Sequence, residues 1–438
     1  MNTVAVLCAA ITLLVGCDEG GSAVSRAAGG VAAETQGSRT PALAQAPTKH
    51  DETLNAESIV LQRLLARRSV IPAGGVYDRV SAAVLAANSR AAETELRAAR
   101  LRAAAASKNW LPTIGPRISL NSLGDLISQI VVDAVLFDNG RKKNERAFAK
   151  ADVEVAAVAL AEDTNDRVAT ALDLYLSAEM GRAQVAIHRG TLKDMQHFEW
   201  VMSERVKGGV SDRSDLHVIE AKLSEIRAAI AAAEEASATA MAELNAMAIT
   251  PLGGLRGIAP LQVTGSAAQP LAVARAEAEK GRDIAQARIA RAGQLPSVGA
   301  QATIGENGAA GITVGGPGLG LGTPARLQAL QAAEEAASRK VAQADEDARR
   351  TLRRLEGEAV AAARQASEAR ALTSTSKKNL DLFQAQYKAG QRQVMDVVRV
   401  YESFAARQDS EVQLRFEALH LAVELARVQG VLADGDQI

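Results

Sequence analysis

The chain has 438 residues, a formal net charge of -1 and few aromatic residues, only 3% of the total. Charged residues make up 23% and alanine is abundant, a composition typical of long helices that pack closely. Acidic and basic residues are interleaved, so no concentrated basic surface suggests a nucleic-acid partner. We therefore expect a mainly α protein with a small β part and no nucleic-acid binding.

Residues 1–16 have the features of a lipoprotein signal peptide. The apolar run 4–15 has signal-peptide length and is too short to span a bilayer. It ends in Leu14-Val15-Gly16-Cys17, which resembles the bacterial lipobox and implies lipid attachment at Cys17. Residues 17–50, rich in Gly, Ala and Ser, are expected to be a flexible tether. The alternative is an uncleaved apolar tail with an incidental cysteine.

The chain repeats one order of features. Leu111-Pro112 opens an alternating segment, and the long proline-free run after it breaks at Lys207-Gly208-Gly209. The same order recurs from Leu295-Pro296 to Lys388-Ala389-Gly390. An internal repeat of this size indicates one structural unit used twice. We predict helix, β-hairpin, long helix and return helix in residues 51–250 and again in 271–433, with 251–270 as the connector.

The periodicity of apolar residues changes along each copy. Helical spacing predicts helices over 53–68 and 77–109, and period-two alternation predicts β-hairpins at about 113–137 and 297–321. Each strand has about the length that a transmembrane strand needs.

Two runs without proline, residues 141–206 and 325–387, predict very long helices. At 1.5 Å per residue each would be about 100 Å long. We expect them to turn at tips near 207–212 and 388–393. No segment after residue 15 has 18 uninterrupted apolar residues, so a membrane would have to be crossed by strands closed into a barrel.

Four strands cannot close a barrel around a usable pore, whereas three copies of the chain would supply twelve. We therefore predict a homotrimer. Its twelve-stranded β-barrel would continue into a long α-helical tunnel.

The chain resembles the TolC-type outer-membrane channels from about residue 53 to 433. The similarity lies in the two Leu-Pro steps, the segment Leu-Phe-Asp-Asn-Gly-Arg at 136–141, and the two tips with their matched spacing. The resemblance implies an outer-membrane channel subunit with a periplasmic extension, serving a tripartite efflux pump or a type I secretion system. It implies a periplasmic adaptor protein, an inner-membrane pump and outer-membrane lipid as partners.

Many members of that family are lipoproteins, which fits Cys17. Asp18 follows it directly, and in some bacteria such an aspartate retains a lipoprotein in the inner membrane. We still expect the outer membrane, because barrel assembly also delivers a strand-forming channel.

The resemblance also assigns roles at the tips. In some family members, acids six and nine residues after the second tip glycine constrict the tunnel mouth. Here these positions hold Asp396 and Arg399, and Asp215 is the equivalent acid in the first copy. Because Arg399 departs from the pattern, Asp396–Arg399 pairs between subunits would replace a purely anionic gate. The alternative is that both side chains lie on a solvated helix face.

The expected adaptor-docking residues surround the tip glycines. They are Gly208, Gly209, Val210, Ser211, Ala389, Gly390, Gln391 and Arg392. A purely structural role for Gly209 and Gly390, as turn residues with positive φ, is equally expected.

The sequence favours no enzymatic chemistry, cofactor or metal site. His217 and Glu220 form only an isolated pair, and the Gly-rich residues 311–322 lack the Lys-Ser/Thr of a phosphate loop. Two other functions stay open. A periplasmic helical-hairpin adaptor would have one hairpin in a β-rich domain, and a structural coiled-coil lipoprotein would use the Gly-rich segments as breaks.

Overall fold

The computed structural model describes residues 58–87, 91–120, 126–263, 268–304, 308–316 and 320–437. All of them belong to one compact unit, Thr40–Ile438. The expected signal peptide, the lipid attachment site Cys17 and the tether lie outside the described residues.

The described residues form eight α-helices and four strands, which confirms a mainly α fold with a small antiparallel sheet. The helices are α1 (Ile59–Leu65), α2 (Val76–Leu85), α3 (Ala91–Ser107), α4 (Arg141–Lys207), α5 (Arg213–Met247), α6 (Leu271–Ala292), α7 (Thr323–Lys388) and α8 (Val394–Gln429). The strands are β1 (Thr113–Leu120), β2 (Leu126–Phe137), β3 (Ser297–Ile304) and β4 (Ala309–Gly315), and a short 3-10 helix follows at Gly435–Gln437.

The expectation of a single helix over 77–109 was wrong, because α2 ends at Leu85. Donors from distant parts of the chain take the carbonyl groups that a continued helix would use. Arg167 Nε donates to the Val84 carbonyl at 3.1 Å, and the Ile249 amide donates to the Ala83 carbonyl at 3.2 Å. The second hairpin is also shorter than expected, since β4 ends at Gly315.

The two long helices differ in how much of their surface is covered. Twenty-one of the 67 residues of α4 are buried, against eight of the 66 residues of α7. Four of the eight (Ala348, Leu355, Ala362 and Ala369) recur every seven residues, so α7 packs along a single seam. The rest of its surface is open in the single chain.

Apart from α1 and α2, which pack on α4, the helices form a layer one helix thick, and its order explains this difference. Near the sheet, α3 packs on α4, α4 on α6, and α6 on α7. Towards the tips, α5 packs on α4, α4 on α8, and α8 on α7. In the part of the chain that the structure describes, α3 and α5 therefore lie along one edge of the layer and α7 lies along the other.

The sheet has the same kind of order. Its strands run β1-β2-β3-β4, all antiparallel, and β2 pairs with β3 to join the two copies of the repeat. A bulge between Val135 and Phe137 shifts the register of that pair. The outer strands β1 and β4 each have one partner in this sheet, so their other edges carry unpaired backbone groups.

One face of the sheet is apolar, and the other contains most of the polar side chains of the sheet. Directly paired residues share a face, so the register assigns each side chain. With the exception of Ser128, the first face consists of Ile114, Pro116, Ile118, Ile130, Val132, Ala134, Val298, Ala300, Ala302, Ile304, Ala310, Ile312 and Val314. The second face includes Thr113, Arg117, Gln129, Asp133, Ser297, Gln301, Thr303 and Thr313, together with Val131 and Val135. The apolar face is uncovered in the single chain, where Ile312 is 72% exposed and Val314 is 74% exposed.

Buried apolar residues form three clusters along the helices. One near the sheet joins α3, α4 and α6, and one near the tips joins α4, α5, α7 and α8. The largest lies between them and includes Tyr77, Tyr175 and the C-terminal residues Val431 and Leu432. The connector and the segment after α8 thus cover the middle of the helical layer.

Candidate functional site

The first tip is a tight helical hairpin closed by two backbone hydrogen bonds. The Val210 amide donates to the Arg205 carbonyl at 2.9 Å, and the Gly209 amide donates to the Val206 carbonyl at 3.0 Å. Gly209 has φ +73, so this is a Schellman motif with glycine in the left-handed position. Arg205 Nε also donates to Ser211 Oγ at 3.0 Å, which ties α4 to the turn.

The second tip repeats this geometry with different side chains. The Gln391 amide donates to the Gln386 carbonyl at 2.9 Å, and the Gly390 amide donates to the Tyr387 carbonyl at 2.9 Å. Gly390 has φ +75. Arg392 Nε donates to Gln386 Oε1 at 3.1 Å, the counterpart of the Arg205–Ser211 bond.

Of the eight docking candidates, Ser211 is half-buried and the other seven are exposed. Val210 stands out because it is apolar and 66% exposed. The two hairpins therefore present backbone turns of one shape and side chains of different chemistry.

We expect Gly209→Ala and Gly390→Ala each to destabilise their tip by about 1–2 kcal/mol. A Cβ at either position meets nothing within 4 Å, so the cost comes from positive φ alone. The measurement is limited proteolysis at the tips of the detergent-solubilised protein, which reports local opening.

Gly208→Ala is the matched control. Gly208 has φ -78, and the second tip already carries Ala389 at the equivalent position. Equal protease sensitivity of Gly208→Ala and Gly209→Ala would contradict the role of positive φ.

The gate candidates lie just after the turns. Asp396 and Asp215 each occupy the third position of their helices, α8 and α5. Asp396 belongs to a capping box, because its Oδ2 accepts from the Gln393 amide at 3.4 Å. Its Oδ1 lies 3.4 Å from Arg399 Nη2, so the two gate candidates form an ion pair within one chain.

A groove runs between the second tip and the end of α4. Its lining comprises Arg205, Tyr387, Lys388, Gly390, Gln391, Arg392, Gln393 and Asp396. The groove brings gate and docking candidates of the second tip beside Arg205 of the first tip.

No protein-family model and no curated protein matches this chain. Its structure, in contrast, resembles several solved membrane proteins, with outer membrane channels among them. A membrane protein from Pseudomonas aeruginosa aligns with a TM-score of 0.72 at 17% identity, over 84% of this chain and 92% of that one. The Campylobacter jejuni CmeC outer membrane channel aligns with a TM-score of 0.69 at 10% identity, over 82% and 86%. The Vibrio cholerae outer membrane protein VceC aligns with a TM-score of 0.68 at 14% identity, over 88% and 99%.

The chain has the TolC-type channel fold. The likeness to these proteins extends over most of both chains, so the sequence resemblance is confirmed at the level of the fold. Among the described helices, none combines the length and hydropathy that crossing a membrane as a helix would require.

The TolC-type fold places residues at the tips that the sequence did not single out. Tyr401 of α8 donates its hydroxyl hydrogen bond to Asp194 Oδ2 of α4 at 2.7 Å. Burial, with the hydrogen bond to Asp194 as a second cause, raises the pKa of Tyr401 above its ordinary value. Phe198 and Phe404 pack edge-on against its ring, at centroid distances of 5.9 and 6.2 Å.

Two further polar pairs join α4 to α8 near the middle of the layer. His420 Nδ1 lies 2.7 Å from Asp173 Oδ1, and Arg427 Nη1 lies 2.8 Å from Asp166 Oδ1. These pairs and Tyr401–Asp194 fasten the first copy of the repeat to the second. Sequence spacing could not reveal them, because the partners are more than 200 residues apart.

The described residues contain no group of three or more potential metal ligands. His217 Nδ1 lies 2.9 Å from Glu220 Oε2 on the exposed surface of α5, as an isolated pair.

Proposed function

We propose that the chain is the subunit of a homotrimeric outer-membrane channel that conducts substrates from the periplasm to the exterior. The observation that carries this proposal is the pair of open edges shared by the sheet and the helical layer. One open edge of the chain consists of β1, α3 and α5, and the opposite open edge consists of β4 and α7.

Open edges of this kind are completed by joining one side of a chain to the other side of the next. Such a head-to-tail contact generates a closed ring when the rotation closes. Three copies place twelve strands in one barrel, within the range known for membrane barrels. Closure also supplies partners for the unpaired backbone of β1 and β4, as a membrane requires.

The two faces of the sheet support a membrane location for this barrel. The apolar face with Ile114, Ile312 and Val314 suits lipid chains, and the polar face with Arg117 and Asp133 suits a water-filled lumen. The open surface of α7 suits the neighbouring α3 and α5 in a continuous helical tunnel.

In this arrangement the tips form the periplasmic mouth, about 100 Å from the barrel. A periplasmic adaptor linked to an inner-membrane pump docks on the exposed turns, and Cys17 carries the lipid. The assembly serves efflux or type I secretion and acts as a conduit without catalysing a reaction.

The test is single-channel conductance of the detergent-extracted trimer in planar bilayers, for the native chain and for Asp396→Asn. We expect discrete conductance steps. Asparagine can still accept the capping bond but loses the charge that pairs with Arg399. An exposed pair of this kind is worth about 0.2–1 kcal/mol, so the open-to-closed ratio should change by about fivefold at most.

Glu417→Ala, an exposed acid of α8 far from the tip and away from the edges of the layer, is the control and should leave gating unchanged. A folded protein that needs no detergent and gives no conductance would contradict the channel and favour an adaptor or a coiled-coil scaffold. A conducting trimer with unchanged gating in Asp396→Asn would contradict only the gate role of Asp396.

A further inference from the structure

The helical ends next to the sheet lie at one level, and contacts between them show it. Asn109 Nδ2 donates to the Lys142 carbonyl at 3.0 Å, which joins the end of α3 to the start of α4. Asn139 Nδ2 donates to the Pro296 carbonyl at 2.7 Å, which joins the start of α4 to the start of β3. Residues just below the sheet in both copies of the repeat therefore share this level.

This level is basic. Lys108 follows α3, Arg291 lies in the last turn of α6, and Arg326 lies in the first turn of α7. The first turn of α4 contains Arg141, Lys142 and Lys143 in succession. We call these six residues the basic collar. The helical turns that contain them have no acidic residue.

Helix dipoles explain only part of the collar. Lys108 and Arg291 stand at helix C-termini, where the dipole favours a cation. The cations of α4 and α7 stand at N-termini, where it disfavours them. The helices α5 and α8, which begin at the tips, have acidic residues in their first turns, as the dipole predicts. The helices α4 and α7, which begin beside the sheet, have no acidic residue in theirs. The cations at the start of α4 and α7 are therefore unfavourably placed in the dipole fields of their own helices. A bound anion from outside the chain would compensate for this placement.

Internal acids neutralise little of this charge. The Asp138 carboxylate accepts hydrogen bonds from the backbone amides of Gly140 and Lys142, at 3.0 and 2.7 Å. Glu145 forms an ion pair with Arg141 at 3.0 Å. Lys108 and Lys143 are exposed, and their side chains have no ion pair in the described part of the chain.

The collar directly adjoins the apolar surface of the sheet. Trp110 follows Lys108 by two residues and is 63% exposed, and Phe137 at the end of β2 is 58% exposed. Exposed aromatic residues at the end of membrane strands are typical of the level where hydrocarbon gives way to headgroups.

We propose that the basic collar binds the phosphate headgroups of anionic phospholipids, in the leaflet that faces the helical tunnel. The proposal rests on the proposed channel function, because it needs the sheet in a membrane. Cations next to an apolar, aromatic-edged face complement a negatively charged headgroup layer. Each basic residue close to such a layer strengthens the attraction by about fivefold.

The chain has two tryptophans, Trp110 and Trp200, so Trp200→Phe leaves one fluorescent reporter beside the collar. The trimer carrying Trp200→Phe is reconstituted with phosphatidylcholine in which a fraction is replaced by brominated phosphatidylglycerol or by brominated phosphatidylcholine. We expect brominated phosphatidylglycerol to quench Trp110 fluorescence more strongly than brominated phosphatidylcholine does. The ratio of their association constants for the protein should be at least about five. High salt should reduce this preference.

Two double variants in the Trp200→Phe background locate the effect. In Lys108→Gln with Lys143→Gln, the ratio of phosphatidylglycerol to phosphatidylcholine association constants should fall close to one. In Lys378→Gln with Lys388→Gln, this ratio should be unchanged. The control lysines are also exposed and without an ion pair among the described residues, but lie near the second tip. A heat-modifiable trimer band verifies that each variant is folded.

Equal quenching by the two lipids would overturn the collar proposal and leave the channel intact. A changed ion selectivity in Lys108→Gln/Lys143→Gln, with an unchanged lipid preference, would place the lysines in the lumen and also overturn it. Absence of quenching by either lipid would contradict the membrane position of the sheet, and with it the proposed function.

Discussion

Replacing Gly181 with alanine should destabilise the helical layer by about 1–3 kcal/mol through overpacking. A Cβ at Gly181 of α4 would lie 2.8 Å from the Ala233 carbonyl oxygen and 2.9 Å from Ser237 Cβ on α5. The two helices would have to separate. This separation would also weaken the hydrogen bond from Ser237 Oγ to the Ala178 carbonyl, now 2.9 Å long.

Gly190→Ala, nine residues along the same helix, is the matched control. A Cβ there meets nothing within 4 Å, so alanine should stabilise α4 by about 0.5–1 kcal/mol through its higher helix propensity. The apparent melting temperatures of the two variants should therefore shift in opposite directions. A stabilising effect of both substitutions would show that α4 and α5 do not approach this closely.

Replacing Arg67 with methionine should cost at least about 3 kcal/mol of stability. The Arg67 guanidinium is buried and donates to three backbone carbonyls, those of Gln269, Gln429 at 2.8 Å and Gly430 at 3.0 Å. Burial lowers the pKa of Arg67 to about 10, so the group remains charged at neutral pH. Methionine would fill the space but leave buried carbonyl oxygens without a donor, at about 1–3 kcal/mol each.

The neighbouring Arg68 provides the control for Arg67. It is exposed, so Arg68→Met should change stability by no more than about 0.5 kcal/mol. Hydrogen exchange of residues 429–435, together with the melting temperature, measures both variants. Unchanged protection of that segment in Arg67→Met would show that Arg67 does not hold it in place.

Local patterns in the sequence were sufficient to indicate the four strands and the two long helices, although not every boundary. Periodicity depends on neighbours in the chain, so period two indicated strands and the proline-free runs indicated long helices. The glycines of the tips were informative for the same reason, since a turn with positive φ needs Gly209 or Gly390 locally.

Tertiary structure decided how these elements are arranged. The order of helices in the layer, the β2–β3 pairing and the two faces of the sheet depend on contacts between the copies of the repeat. The early end of α2 has the same origin, because Arg167 and Ile249 supply the competing donors.

The sites divide in the same way. The resemblance to the TolC-type family pointed to Asp396 and Arg399, but only the structure shows that they pair within one chain and that Asp396 also caps α8. Arg67 was not recognisable, because its carbonyl partners lie 202 to 363 residues away. The sequence by itself thus determined the duplicated elements and their turns, which are set by short-range periodicity and φ preferences. The open edges, the two-faced sheet and the buried polar contacts required the folded chain, because they arise from packing between residues distant in sequence.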